Sequence, residues 1–157
     1  METSNKIDYI LQHITSLLTR DSDQILQEQL GIGYSQYKIL RVLNAGAPVK
    51  QRFIADLLGQ TEASISRQIN LLVVKNLITK TVDPRNRRVR LIVITQKGHK
   101  IADASNEVLD RFHKNTLNDF SDKQKTELLK SLEDLHDKIC DSNHSANPDY
   151  LTYLTEN

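Results

Sequence analysis

One cysteine, Cys140, is the only thiol in 157 residues. A lone thiol excludes an internal disulfide and any thiolate zinc cluster, and it fits a reducing, cytoplasmic setting. No apolar run approaches the roughly 18 residues needed to span a bilayer. The N-terminal stretch METSNKIDYILQHITSLLTR interrupts its apolar residues with polar ones at helical spacing, unlike a secretory signal peptide. The five histidines (His13, His99, His113, His136 and His144) show no H-x-x-x-H spacing, so they read as scattered surface residues and imply no metal site. Neither Cys140 nor Ser121 has a general base or oxyanion pattern near it, which argues against an enzyme. Repeats and low-complexity tracts are also missing, and nothing in the sequence requires a cofactor.

What is present is 38% hydrophobic and 26% charged residues, a balance that fits one globular domain, or one domain with dimerisation arms. The net charge of +1 hides a strong separation along the chain. Residues 1–30 sum to −3, residues 31–74 to +3, residues 75–100 to +7 and residues 101–157 to −6. A surface helix of mixed charge does not sort its signs by segment. The pattern implies a centre that faces a polyanion, with acidic arms held away from it.

Ile7, Ile10, Leu11, Ile14, Leu17 and Leu18 recur with helical period and predict a long amphipathic helix running to about Gln29. Gly31 and Gly33 break it. A second helix opens near Ser35, with Ile39, Leu40, Val42 and Leu43 inward, and Gly46 and Pro48 mark the next turn. A short helix over about Lys50–Leu58 buries Phe53, Ile54, Leu57 and Leu58 and ends at Gly59. Thr61 is placed to cap the following helix, whose inner face is Ile65, Ile69, Leu72 and Val73 and whose outer face carries Ala63, Ser64, Arg67 and Asn70. Asn76 closes it in a left-handed conformation.

The period then changes to that of strands. Leu77–Val82 and Val89–Thr95 read as an antiparallel ribbon around the loop DPRNRR. Thr95 caps a long helix bearing Ile101, Val108, Leu109 and Phe112. Ser121 and Gln124 form a capping box for a last helix. There, Leu128, Leu132, Leu135 and Ile139 follow a 4-3-4 spacing suited to a helix partner. The expected fold is therefore mainly α with a small β-hairpin wing: a winged helix-turn-helix with N- and C-terminal dimerisation helices. Its divisions are 1–30 (dimerisation helix), 31–98 (DNA-binding core), 99–140 (dimerisation helices) and 141–157 (polar tail).

Two short helices joined by the turn LGQT, followed by an arginine-tipped hairpin, suit DNA at two points. Thr61, Ser64, Ser66, Arg67 and Asn70 present short polar groups and one guanidinium to a major groove. Arg85, Arg87 and Arg88 extend from a stiff support, and a narrow minor groove attracts guanidinium groups. The ungapped stretch IADLLGQTEASISRQINLLVVKNLITKTVDPRNRRVRLIVITQKG resembles the DNA-binding core of the MarR family. Its carriers are Ile54-Ala55, Leu58-Gly59, Thr61 to Arg67, the wing motif Asp83–Arg88, and Ile94-Thr95 with Gly98.

The resemblance implies a cytoplasmic homodimer on a pseudo-palindromic operator in double-stranded DNA, usually a repressor, in which the first and last helices interdigitate. Ser64, Ser66 and Arg67 match the family's DNA-facing positions, Arg88 its minor-groove arginine and Asp83 a wing-stabilising acid. Asn86 stands where an aspartate is usual, which replaces an ion pair to a wing arginine with a neutral hydrogen bond. Lys50 stands in place of a Ser/Thr cap. The resemblance also implies a small aromatic effector bound between the dimerisation helices and the DNA-binding lobe, where helix position puts His13, Leu17 and Tyr37. Two other readings stand beside it: a metal- or redox-gated regulator responding through His13 or Cys140, and a winged helix kept for protein contact.

Overall fold

The computed structural model describes residues 2–142; the tail from residue 143, with His144 and Asn147-Pro148, lies outside the described residues. Six helices and three short strands follow one another: α1 (Thr3–Leu30), α2 (Tyr34–Asn44), β1 (Val49–Lys50), α3 (Gln51–Leu58), α4 (Glu62–Val74), β2 (Ile78–Asp83), β3 (Asn86–Ile94), α5 (Gln96–Thr116) and α6 (Asp122–Ser142). This is the winged helix-turn-helix with long flanking helices that the sequence pattern implies.

The boundaries sit where local chemistry puts them. Gly31 and Gly59 end α1 and α3 in left-handed conformations, at φ 67° and 60°. Asn76 is the one described non-glycine residue with positive φ, at 58°, and turns the chain from α4 into the ribbon. Thr61 accepts a hydrogen bond from the backbone N–H of Ser64, and Thr95 accepts one from Gly98. Ser121 and Gln124 satisfy each other's backbone N–H groups reciprocally, at 2.9 and 3.3 Å. Lys50 occupies the capping position of α3 without a side-chain hydrogen bond, so that helix begins one residue later than its pattern suggests.

One core joins the helices to the sheet. Leu26 of α1, Ile39, Leu40 and Leu43 of α2, Ile54 and Leu57 of α3, Ile65, Ile69 and Leu72 of α4, Ile92 of β3 and Leu109 of α5 are all essentially closed to solvent. Phe53 and Val73, expected inside, are only partly buried and pack on its edge. Gly98 lies against the ribbon's base, where a Cβ would run into the carbonyl of Leu77 and the side chain of Ile94. Thr95 binds the same junction, its backbone N–H donating to Leu77 O and its hydroxyl lying 2.9 Å from Asn76 O. The wing therefore leaves the core from a fixed point.

The sheet differs from the expected ribbon in two ways. Its order is β1-β3-β2, all antiparallel, because Val49 and Lys50 pair with Ile92 and Leu91. Two residues after a proline are too few to show a period, so β1 is silent in the sequence. The loop read as DPRNRR is shorter than expected. The strands extend into it, and only Pro84 and Arg85 form the turn. Pairing jumps from Val82–Arg90 to Asp83–Asn86, which leaves Arg87, Arg88 and Val89 bulged out of the ladder.

Candidate nucleic-acid interface

The rotation of α4 is set by Ile65, Ile69 and Leu72, which are fully buried at helical spacing. That burial turns Arg67 and Asn70 outward as exposed residues and leaves Ser64 and Ser66 half-buried at the margin. Thr61, also exposed, is committed as the helix cap, and the Ser64 hydroxyl lies 3.4 Å from Gln60 Oε1. The helix is held from behind at its far end. Lys75 donates to the carbonyl of Gly31 at 2.6 Å and to Gln36 Oε1 at 3.0 Å, and Gln36 in turn donates to Gln68 at 3.3 Å. Lys97 donates to the carbonyl of Lys75. The end of α1 and the start of α2 are thereby tied to the end of α4.

The wing presents Arg85, Arg87, Arg88 and Arg90, all exposed. Among the described residues no carboxylate lies within ion-pair distance of any of them, nor of Arg67. Each guanidinium keeps its full charge and all its donors for an external partner. The two polar residues of the tip work on the backbone instead. Asp83 Oδ1 accepts from the N–H of Arg85 at 2.9 Å, and Asn86 Oδ1 accepts from the N–H of Arg88 at 3.1 Å. These are Asx turns, which set the shape of the tip and need only a side-chain oxygen. Asp83 thus stabilises the wing through the backbone, and Asn86 bonds the backbone of Arg88 where a bond to an arginine side chain was expected. A neutral oxygen does as well there, so Asp83→Asn is expected to keep DNA affinity within about twofold. Asp83→Ala removes the acceptor and is expected to weaken DNA binding by about 1 kcal/mol, read in parallel titrations.

Asn70 lies on the outward face as expected, and its Oδ1 accepts a 2.6 Å hydrogen bond from Lys80 of β2. Sequence reasoning did not single out Lys80, although it lies in the +7 segment. Its partner is ten residues away on a different element, which no local pattern records.

The positions read as an effector pocket do not line the groove that the structure shows along α1. A groove of about 770 Å³ runs along α1, lined by Asp8, Leu11, Gln12, Thr15, Ser16, Thr19, Arg20 and Asp23 and closed by Tyr34, Ser35 and Ile139. His13 and Leu17 are not part of its lining, since each is about 100° round the helix from its lining neighbours Gln12 and Ser16. Tyr37 points its hydroxyl at Asn106 of α5, 2.9 Å away, and stacks on Tyr34 with ring centroids 5.8 Å apart. Tyr34, whose phenol pKa burial pushes up, is the aromatic residue that faces the groove. Asp23 accepts from the backbone N–H of Tyr34 at 2.8 Å and so caps α2 from α1.

Cys140 lies 3.5 Å from His136 Nε2, a contact at i, i+4 that scattered histidines did not suggest. Among the described residues no group of three or more His, Cys, Asp or Glu side chains is arranged to hold a metal ion. No helix among them is long and apolar enough to cross a membrane.

Residues 30–89 match the model of the MarR family. Over 127 residues the chain is 26% identical to an HTH-type transcriptional regulator, YxaD of Bacillus subtilis, covering 80% of this chain and 89% of YxaD. The fold is similar to MepR of S. aureus solved in complex with DNA, with a TM-score of 0.74 at 25% identity, covering 83% of this chain and 96% of MepR. It is also similar to CouR of Rhodococcus jostii RHA1 bound to p-coumaroyl-CoA, with a TM-score of 0.71 at 19% identity over 86% and 94% of the two chains.

Proposed function

We propose that this chain is a winged-helix transcriptional regulator of the MarR family, which its match to that family's model and its likeness to YxaD support, and that it acts as a homodimer on a pseudo-palindromic operator and represses until a small aromatic effector releases it. The observation that carries the DNA-binding part is the pairing of an outward polar face on α4 with a wing whose arginines pair with no carboxylate among the described residues. In that reading Ser64, Ser66 and Arg67 enter a major groove and Arg85, Arg87 and Arg88 meet the adjacent minor groove. The MepR–DNA complex supports the same use of the fold. Four free guanidiniums at a hairpin argue against a winged helix kept only for protein contact.

The apolar residues that α1 and α6 leave uncovered, Ile10 and Ile14 on one and Leu128 and Leu132 on the other, support dimerisation by these helices. Two-fold symmetry then places two recognition helices about one turn of DNA apart, roughly 34–36 Å. The groove beside Tyr34 supports a small-molecule site, because it touches both α1 and the start of α2, the elements that Lys75 and Gln36 tie to α4. CouR, with p-coumaroyl-CoA bound, is a precedent for a ligand in this fold.

The test is a fluorescence titration of the protein on its own upstream DNA over a range of salt. Phosphate contacts release counterions, so affinity is expected to fall steeply, by roughly three orders of magnitude or more between low and physiological salt. Binding that ignores salt, or no binding to that DNA at any salt, would overturn the reading.

A further inference from the structure

Lys80 stands where the wing leaves the core. On β2, Ile78 is buried while Thr79, Lys80, Thr81 and Val82 are exposed. The ammonium has three N–H donors, of which one is used on Asn70 Oδ1 and none on a carboxylate among the described residues. Its position joins the outward face of α4 to the first exposed stretch of the ribbon. When a recognition helix occupies a major groove and its wing the neighbouring minor groove, the sugar–phosphate strand dividing those grooves runs between the two elements.

The chemistry of the partner matters here. A carboxylate at position 70 would hold Lys80 in place but neutralise it. A carboxamide oxygen fixes the ammonium and leaves its charge and its other two donors directed outward. Asn70 is thus suited to presenting a cation, and its engaged oxygen is poorly suited to reading a base edge.

We propose that Lys80 contacts the DNA backbone as a phosphate ligand between the two grooves, and that Asn70 is a positioning residue acting through Lys80. The proposal rests on the DNA-binding reading above and assigns these two residues within it. Phosphate contacts position a protein without reporting sequence, so Lys80 contributes affinity, and Asn70 contributes no specificity of its own.

The test compares Lys80→Met, Lys80→Arg, Asn70→Ala and the Lys80→Met/Asn70→Ala pair in the full chain. Each is titrated at several salt concentrations on its upstream duplex and on a random duplex of equal length. Lys80→Met is expected to weaken both duplexes by the same factor, on the order of tenfold, and to lower the slope of log affinity against log salt by about one. Lys80→Arg keeps that slope. Asn70→Ala is expected to give a smaller loss on both duplexes, and no further loss once Lys80 is methionine. Both sites are exposed, and an unchanged thermal midpoint confirms that each variant is folded.

An unchanged salt slope in Lys80→Met would overturn the phosphate contact. A loss in Asn70→Ala confined to the upstream duplex, or one that persists in the double variant, would make Asn70 a base reader and overturn its positioning role. Either result leaves wild-type binding intact and so differs from the failure of the DNA-binding reading itself, in which the wild-type protein shows no salt-dependent binding.

Discussion

Replacing Arg85, Arg87 and Arg88 together with alanine is expected to cut operator affinity by about 4 kcal/mol or more, roughly a thousandfold, without unfolding the protein. The size follows from the environment of these side chains. All three are exposed and none pairs with a carboxylate among the described residues, so each brings an uncompensated charge to the nucleic acid. A guanidinium in a narrow minor groove is worth about 1–3 kcal/mol, and three within four residues share one short segment of groove. Partial coupling between neighbours brings the total below a simple sum.

The fold is expected to survive because the tip is shaped by other atoms. Asp83 and Asn86 hold the backbone N–H groups of Arg85 and Arg88, and those bonds do not involve the arginine side chains. Thr95 and Gly98 fix the ribbon's base at a distance from the tip. Two measurements check this: a urea midpoint equal to wild type and a titration on upstream DNA. Wild-type affinity in the triple variant would mean that the wing stays off the DNA and that α4 binds alone. Arg88→Ala by itself is expected to account for about 1–3 kcal/mol of the loss.

The parts of this molecule legible in its sequence are those whose chemistry is local. Thr61 caps α4, Asn76 turns left-handed, and Ser121 pairs with Gln124, because each needs atoms only a few residues away. The inner faces of α2 and α4 were equally legible, since burial at helical spacing leaves a period. The rest depended on distance. β1 is two residues long and exists only because Ile92 and Leu91 lie beside it. The wing's shape comes from side-chain oxygens bonding backbone two residues on, which a strand pattern does not encode.

The site divides the same way. The exposure of Arg67 and of the wing arginines was legible because charge and outward position follow from pattern. Asn70 was assigned to the correct face but its partner was invisible, since Lys80 reaches it from another element. His13 and Leu17 were chosen for lying on α1, but the groove follows the stripe of Leu11, Thr15 and Thr19, and Ile139 closes it from the other end of the chain.

The helices flanking the winged core are expected to matter as much as the wing. Leu128→Glu with Leu132→Glu is expected to convert the protein to a monomer and to lower operator affinity by more than a hundredfold. Along α6, Leu128 is 42% exposed, Leu129 56%, Leu132 40% and Ile139 52%; along α1, Ile7 is 50%, Ile10 48% and Ile14 44% exposed. Two long helices that leave this much apolar surface open on one chain are expected to bury it against another. In a two-fold dimer the two substitutions act four times. Full burial of a leucine is worth about 1.5–3 kcal/mol and only about two fifths of each is open to a partner, so the apolar loss is roughly 2.5–5 kcal/mol, to which the cost of burying four carboxylates is added. Together these terms exceed the roughly 8 kcal/mol that holds a micromolar dimer.

The monomer itself is expected to stay folded, because its core draws on Leu26, Ile39, Ile65, Ile69 and Leu109 and on nothing from α6. Sedimentation equilibrium gives the mass and circular dichroism the helix content. DNA binding then reports the coupling: one recognition helix without its twin loses the effective concentration that makes the second contact intramolecular, a factor of about 10² to 10⁴. Lys130→Glu lies about 200° round the helix from Leu128 and serves as the control, with no change of mass expected. A double variant that still sediments as a dimer would place the interface elsewhere. One that is monomeric yet binds the operator with wild-type affinity would mean that a single winged helix suffices.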